Sequence, residues 1–165
     1  LPKRTPKPEK YVSIACAGEF HTKQLAAFDN RHHPHPMPRK WWSAKLSLDL
    51  DPDSLVHIAS CDHTKRIYGY AISYWPMTSK AVQITRLLVA PDKRRAKIAT
   101  RLMLSVKAAM PPMIDKLQFV VPELDLDTQL FLRHSEFKAR LPLKADAFPG
   151  YVNENGISFV WKASK

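Results

Sequence analysis

The alternation of apolar and polar positions divides the chain into short strand-like runs separated by a few helical ones. A first strand is predicted over residues 11–16 (YVSIAC), and an amphipathic helix over 19–29 with Phe20, Leu25 and Phe28 near one face. Residues 31–40 (RHHPHPMPRK) follow, where Pro34, Pro36 and Pro38 forbid a regular helix, and a short helix is predicted over 41–48. Strands are predicted over 55–61, 67–75 (IYGYAISYW) and 81–89, with Gly69 marking a bulge or a close backbone contact. The strongest helix covers 98–110, with Ile98, Leu102 and Val106 on one face, and Pro111-Pro112 stops it. A buried strand over 117–121, a short helix over 128–134 and closing strands over 137–141 and 157–161 complete the pattern. Antiparallel strands first, then β–α–β–α–β–β, is the order of an α/β (α+β) fold. Residues 1–10 read as a basic, flexible tail and residues 11–165 as one domain.

The periodicity breaks once in an informative place. In the strand over 81–89 the apolar positions run Val82, Ile84, then Leu87, Val89, a slip of one residue. A β-bulge near Thr85–Leu87 is the simplest account, and it would bend the strand away from its neighbour; a strand buried on both faces is the plain alternative. Next come the turn Ala90-Pro91-Asp92 and the cluster Lys93-Arg94-Arg95-Ala96-Lys97, just ahead of the helix. Cations there oppose the partial positive charge of a helix N-terminus, so they destabilise it unless an anion binds. First-turn amides beside such a cluster form a phosphate site; a solvated basic loop is the competing reading.

Composition narrows the classes. The 165 residues suffice for one core, and 45% hydrophobic with 25% charged is ordinary for a globular chain. Only four glycines occur, Gly18, Gly69, Gly150 and Gly156, so there is neither a GxGxxG dinucleotide loop nor a GxxxxGK[ST] phosphate loop. No apolar run reaches the roughly 18 to 20 residues of a membrane span. The first ten residues lack a secretory h-region, so a cytoplasmic location is expected, with no membrane partner. Cys16 and Cys61 are too few for a disulfide framework or a cysteine zinc site, and both are expected to be small buried hydrophobes. His32, His33 and His35 flank a proline without a nearby carboxylate pair, so no metal is expected. The formal charge of +11 implies an anionic partner. The basic residues are split between the tail, 31–45 and 93–107 without interleaved aromatics, which disfavours nucleic acid.

The segment Leu87-x-Val89-x-Pro91-x-x-Arg94-x-x-Lys97-x-Ala99 resembles the acetyl-CoA motif L-x-V-x-P-x-x-[QR]-x-x-G-x-[GA] of the GNAT superfamily of N-acetyltransferases. The prelude with PMPRKWW is similar to the ribosomal-protein-alanine acetyltransferase-like group. VPELDLDTQLFLRHSEF is similar to E-x-N-x-x-A-x-x-L-Y-x-x-x-G-F, and Tyr151 with NGISFVW to the final aromatic hairpin. The resemblance implies a GNAT fold: a central mixed, mostly antiparallel twisted sheet of about six to seven strands, splayed at a bulge and flanked by about four helices. It implies acetyl-CoA as cosubstrate, no metal, and direct attack by a primary amine, with a protein N-terminus, a lysine or a small amine all compatible as acceptor. A monomer or a homodimer is compatible too. Backbone groups of Leu87, Leu88 and Val89 would meet the acetyl and pantetheine portion. Arg94 and the amides of Arg95, Ala96, Lys97, Ile98, Ala99 and Thr100 would cradle the diphosphate, with Asp125 near the pantetheine arm.

Four departures bear on catalysis. Lys97 and Glu136 replace glycines, Gln83 stands where some members carry a catalytic Glu, and Leu132 stands where a Tyr protonates the leaving thiolate. Proton transfer then falls to water or to other groups. Glu123 and Tyr151 are the candidates. The alternatives are a catalytically impaired acyl-CoA-binding or interaction module of the same fold, and a basic nucleic-acid-binding domain.

Overall fold

The computed structural model describes residues 11–145, 147–148 and 154–164, and the side chains of all of these except Arg95 and Ala96. Its strands are β1 (Val12–Cys16), β2 (Ser54–Cys61), β3 (Ile67–Tyr74), β4 (Val82–Val89), β5 (Lys116–Pro122), β6 (Lys138–Lys144) and β7 (Gly156–Lys162). Its helices are α1 (Thr22–His32), α2 (Arg39–Leu46), α3 (Ile98–Ala108) and α4 (Leu126–His134), with 3-10 segments at Glu19–His21 and Pro91–Ala96. The strands form one sheet in the order β1-β2-β3-β4-β5-β7-β6. β4 and β5 are parallel, whereas β1–β2, β5–β7 and β6–β7 are antiparallel. This is the mixed, mostly antiparallel sheet with four helices that the resemblance implies.

Every predicted element is present, and the shifted boundaries have local causes. Phe20 sits in the 3-10 segment, not in α1, so it leaves the helical phase of Leu25 and Phe28 and is 83% exposed. α2 begins two residues ahead of the prediction because Pro38 is its N-cap, a position where a missing N–H does no harm. α4 likewise begins early, because the Asp125 side chain accepts the Thr128 amide and caps it. β6 runs on through Pro142, which a strand at the end of the sheet order tolerates. Cys61 is buried as expected, but Cys16 is exposed: it closes β1, the strand at the other end of the order.

The chain divides into two compact units. The first comprises the residues up to Ser73 together with Arg86–Ala109. Its core gathers Leu25 and Phe28 of α1, Trp42 and Leu46 of α2, and Val56, Ile58, Tyr70, Ile72 and Leu88 from the strands. The Trp42 indole and the Tyr70 ring meet edge to face, 5.0 Å between centroids. α3 buries Ile98, Leu102, Met103 and Val106.

The second unit comprises Tyr74–Thr85 and Met110–Lys165. Leu117, Phe119 and Val121 of β5 and Phe159 of β7 are buried, in a ladder that pairs Phe119 with Phe159. α4 ends in a Schellman-type closure. The Phe137 amide donates to the Leu132 carbonyl at 2.9 Å and the Glu136 amide to Arg133 at 3.2 Å, with Leu132 and Phe137 both buried.

Candidate functional site

The carboxyl half of β4 behaves differently from its amino half. Val82 and Ile84 are buried, Gln83 and Thr85 exposed, and three pairs, from Val82↔Leu117 to Ile84↔Phe119, make the parallel ladder with β5. Among the described residues the ladder stops there, although β4 continues to Val89 and β5 to Pro122. Counted inward from Val82 and Ile84, the next position belongs to Arg86, whose side chain is only 13% exposed. This partly buried arginine turns its side chain inward at the point where the apolar phase breaks. Leu87 is half-buried, and Leu88 and Val89 are buried.

On its other side, the end of β4 is held against β3 at close range. A Cβ on Gly69 would lie 2.9 Å from the Leu88 carbonyl oxygen and 3.2 Å from a Val89 methyl, so this position admits no side chain without a shift. The Ala90 amide donates to the Tyr68 carbonyl at 2.8 Å.

From Ala90 the chain enters the 3-10 segment Pro91–Ala96 and then turns at Lys97, whose φ of 57° and ψ of 25° are left-handed. α3 starts at Ile98 with no side-chain cap and no acidic residue in its first turn. Its first amides therefore keep the donor capacity and partial positive charge of a helix start. Arg94, Lys97 and Thr100 are exposed around it, Ala99 is half-buried and Ile98 fully buried. The exposed Arg94 and Lys97, together with these amides, suit a multiply charged anion. Lys93 is turned aside, its ammonium 4.6 Å from the Tyr68 ring, and Arg101 is bound to β1, donating to the Val12 carbonyl at 2.7 Å. Lys97 and Glu136, the two residues standing in place of motif glycines, both have positive φ, 57° and 70°. Both positions thus adopt the left-handed backbone that glycine takes most easily.

The remaining candidates belong to the second unit. Asp125 spends both carboxylate oxygens on Thr128, accepting its amide at 3.2 Å and its hydroxyl at 2.7 Å. Glu123 is half-buried; its amide donates to Asn155 O at 2.9 Å, its carbonyl accepts Gln129 Nε2 at 2.8 Å, and its carboxylate lies 3.4 Å from Asn155 Nδ2. Leu132 is fully buried and Gln83 exposed. Tyr151 lies outside the described residues. Among the described residues, no group of three His, Cys, Asp or Glu side chains is arranged to hold a metal ion, and no helix is long and apolar enough to cross a membrane.

Sequence reasoning missed a buried network beside Leu87. The Arg86 guanidinium donates through Nη2 to Asp29 Oδ2 and to the His35 carbonyl, each at 2.8 Å, and through Nε to the Tyr70 hydroxyl at 2.8 Å. Tyr70 donates in turn to Asp29 Oδ1 at 2.5 Å, and Asp29 Oδ2 also accepts the Met37 amide at 2.7 Å. Asp29 and Tyr70 are fully buried. Burial, more than the flanking charges, pushes the Tyr70 hydroxyl well above its ordinary pKa. Burial opposes the Arg86 charge, yet Tyr70 and Asp29 hold its pKa above the usual arginine value. The nearby His33 is lowered to about 4, first by burial and then by Arg86. One sequence signal was available: Asp29, four residues after Leu25, is a lone carboxylate on the apolar face of α1.

A model of the acetyltransferase (GNAT) family matches residues 18–129. No curated protein matches the chain. Among solved structures, the chain is similar to NAA60 from Arabidopsis thaliana in complex with a bisubstrate analogue, at 13% identity over 92% of this chain and 97% of that one, TM-score 0.74. It is similar as well to the ribosomal-protein-S18-alanine N-acetyltransferase from Escherichia coli, at 13% identity over 93% and 95%, TM-score 0.75. A nourseothricin acetyltransferase gives 14% identity over 94% and 100%, TM-score 0.72. At these identities the structures testify to the fold, and the family model to descent. The chain belongs to the acetyltransferase (GNAT) family, whose cosubstrate is acetyl-CoA.

Proposed function

We propose that this protein is an acetyl-CoA-dependent N-acetyltransferase acting on a primary amine, with residues 11–165 working as one domain. The observation that carries the reading is the uncapped, acid-free start of α3 behind the left-handed Lys97, directly after the part of β4 that no longer pairs with β5. In this reading the backbone of Leu87, Leu88 and Val89 hydrogen-bonds the acetyl and pantetheine portion. Arg94 and the amides of Arg95, Ala96, Lys97, Ile98, Ala99 and Thr100 take the diphosphate. Asp125 stands at the pantetheine arm while capping α4.

The acceptor nitrogen, unprotonated, attacks the thioester carbonyl; the C–N bond forms, the C–S bond breaks, and coenzyme A leaves as thiolate. The nitrogen loses a proton to a base and the thiolate gains one. Glu123 is the proposed base, its main chain clamped by Asn155 and Gln129. Tyr151 is the proposed donor to sulfur. The acceptor is a protein N-terminus, a lysine or a small amine, and a cytoplasmic setting fits a chain with an exposed free thiol at Cys16.

A second reading has its own support. Leu132 is fully buried where the resemblance places the proton donor, and Gln83 cannot act as a carboxylate base. The chain would then bind acyl-CoA without turning it over. Thermal unfolding with acetyl-CoA tests both readings: at about 100 times its dissociation constant a ligand adds about 2.7 kcal/mol. No shift at millimolar acetyl-CoA overturns both. A shift with no thiol release across a panel of amines and N-terminal peptides leaves the binding module. Arg95→Glu should weaken acetyl-CoA binding, and unchanged affinity would displace the diphosphate site.

A further inference from the structure

We propose that the buried Asp29–Tyr70–Arg86 network is a positioning device for the acceptor amine: it fixes the loop over residues 33–38 beside Leu87 and so sets acceptor affinity. The inference rests on the acetyl-transfer reading above.

A fully buried carboxylate is a poor way to stabilise a core, since apolar residues of similar volume do as well or better. The arrangement is explained by what both charges hold. Arg86 Nη2 is shared between Asp29 and the carbonyl of His35, and Asp29 Oδ2 is shared between Arg86 and the amide of Met37. Two main-chain groups of one loop, two residues apart, are thus fastened by one ion pair. The loop needs such help. Pro34, Pro36 and Pro38 remove three amide donors and bar both helix and ladder, so its polar backbone must find partners elsewhere. The His35 amide finds one in His33 Nδ1 at 2.9 Å.

The anchor point gives the network its functional meaning. Arg86 is the residue before Leu87, so the loop is tied to the strand segment proposed to present the thioester. Pro34, His35 and Pro36 are exposed on this loop, and Trp41, just beyond it, lies 5.8 Å from the guanidinium carbon. On the acetyl-transfer reading, an amine that reaches the acetyl group at Leu87 comes up beside the loop that Arg86 and Asp29 hold. Asp29 is sealed, and both its carboxylate oxygens are occupied by Tyr70, Arg86 and the Met37 amide, so the network does not touch the reacting amine. The network is therefore a positioning element, not an acid or a base.

The test uses the full chain and the best acceptor from the thiol-release panel. Arg86→Met is expected to raise the acceptor KM at least ten-fold, with kcat changed less than three-fold and acetyl-CoA affinity within two-fold. Arg86→Lys, which keeps the charge but loses the fork, is expected to recover part of that loss. Amide exchange at His35 and Met37 is expected to rise at least ten-fold in Arg86→Met. An unchanged acceptor KM in a folded variant overturns the proposal. So does an equal loss of acceptor and acetyl-CoA affinity, which would mean general loosening, or unchanged exchange at His35 and Met37. Absence of thiol release by the wild type would overturn the acetyl-transfer reading itself and this proposal with it, an outcome seen before any variant is made.

Discussion

Replacing Lys97 by glycine should move stability and cosubstrate affinity in opposite directions. Lys97 sits at φ 57°, where an L-residue loses about 1–2 kcal/mol to the crowding of its Cβ. Glycine escapes that loss but gives back about 0.5–1 kcal/mol through the greater freedom of the unfolded chain. The side chain is exposed, so little packing is removed. The net expectation for Lys97→Gly is a stabilisation of about 0.5–1 kcal/mol in urea unfolding without ligand, a rise of about 1–4 °C in Tm for a chain of this size. The same change removes an ammonium from the rim of the proposed diphosphate site. An exposed charge pair contributes up to about 1 kcal/mol, so acetyl-CoA should bind about two- to five-fold more weakly in low salt, the difference shrinking as ionic strength rises. Calorimetric titration at two salt concentrations measures it. Tighter binding by the glycine variant would refute the reasoning, because it would mean that the lysine obstructs the approach of the phosphates. A destabilised ligand-free variant would refute the conformational half independently.

Glu136→Gly is expected to stabilise by a similar amount, about 0.5–1 kcal/mol, and Glu136→Ala to gain nothing, since alanine keeps the left-handed penalty; equal effects in unfolding titrations would contradict the role of φ. Gly69→Ala should cost about 1–3 kcal/mol through the 2.9 Å approach to the Leu88 carbonyl, and should also weaken acetyl-CoA binding by shifting the end of β4. A variant with wild-type Tm and affinity would show that β3 yields freely. His33 is lowered to about 4 in the folded chain from about 6.5 unfolded. The unfolded chain takes up this proton first, so stability is full above pH 6.5 and is lost as pH falls towards 4. His21, His32 and His57 are lowered as well, burial being the main cause, and they steepen the same loss. His33→Gln should flatten the stability profile between pH 6.5 and 4, and an unchanged slope would remove His33 from this account.

Sequence pattern located the elements well because their signals are local. Ile98, Leu102 and Val106 repeat at helical spacing whatever surrounds them, and Pro111-Pro112 ends the helix by sterics alone. The candidate diphosphate site was legible for the same reason: basic residues ahead of an uncapped helix conflict with its dipole within one stretch of chain. The network at Asp29 was not legible, because its three members are 41 and 57 residues apart and only the folded sheet unites them. Arg86 shows the hazard most plainly. Pattern rules assign a charged residue outward, whereas the Arg86 side chain turns inward to Tyr70 and Asp29. The same rules misplace Phe20, whose apolarity suggests the core, while a 3-10 segment turns it to solvent.

The ion pair at Asp29 also supplies this protein with a built-in optical reporter. Trp41 lies 5.8 Å from the Arg86 guanidinium, its ring 5.0 Å from that of Trp42, and Trp42 packs edge-on to Tyr70. Indole emission shifts with a neighbouring charge and with exposure to water, and Trp41 is half-buried at the end of the loop while Trp42 is sealed. A ligand that displaces residues 33–38 changes the surroundings of Trp41, and that change is read by difference against the emission of the other three tryptophans. Unlabelled protein can thus be screened for its acceptor by fluorescence, with a Trp41→Phe variant as the blank.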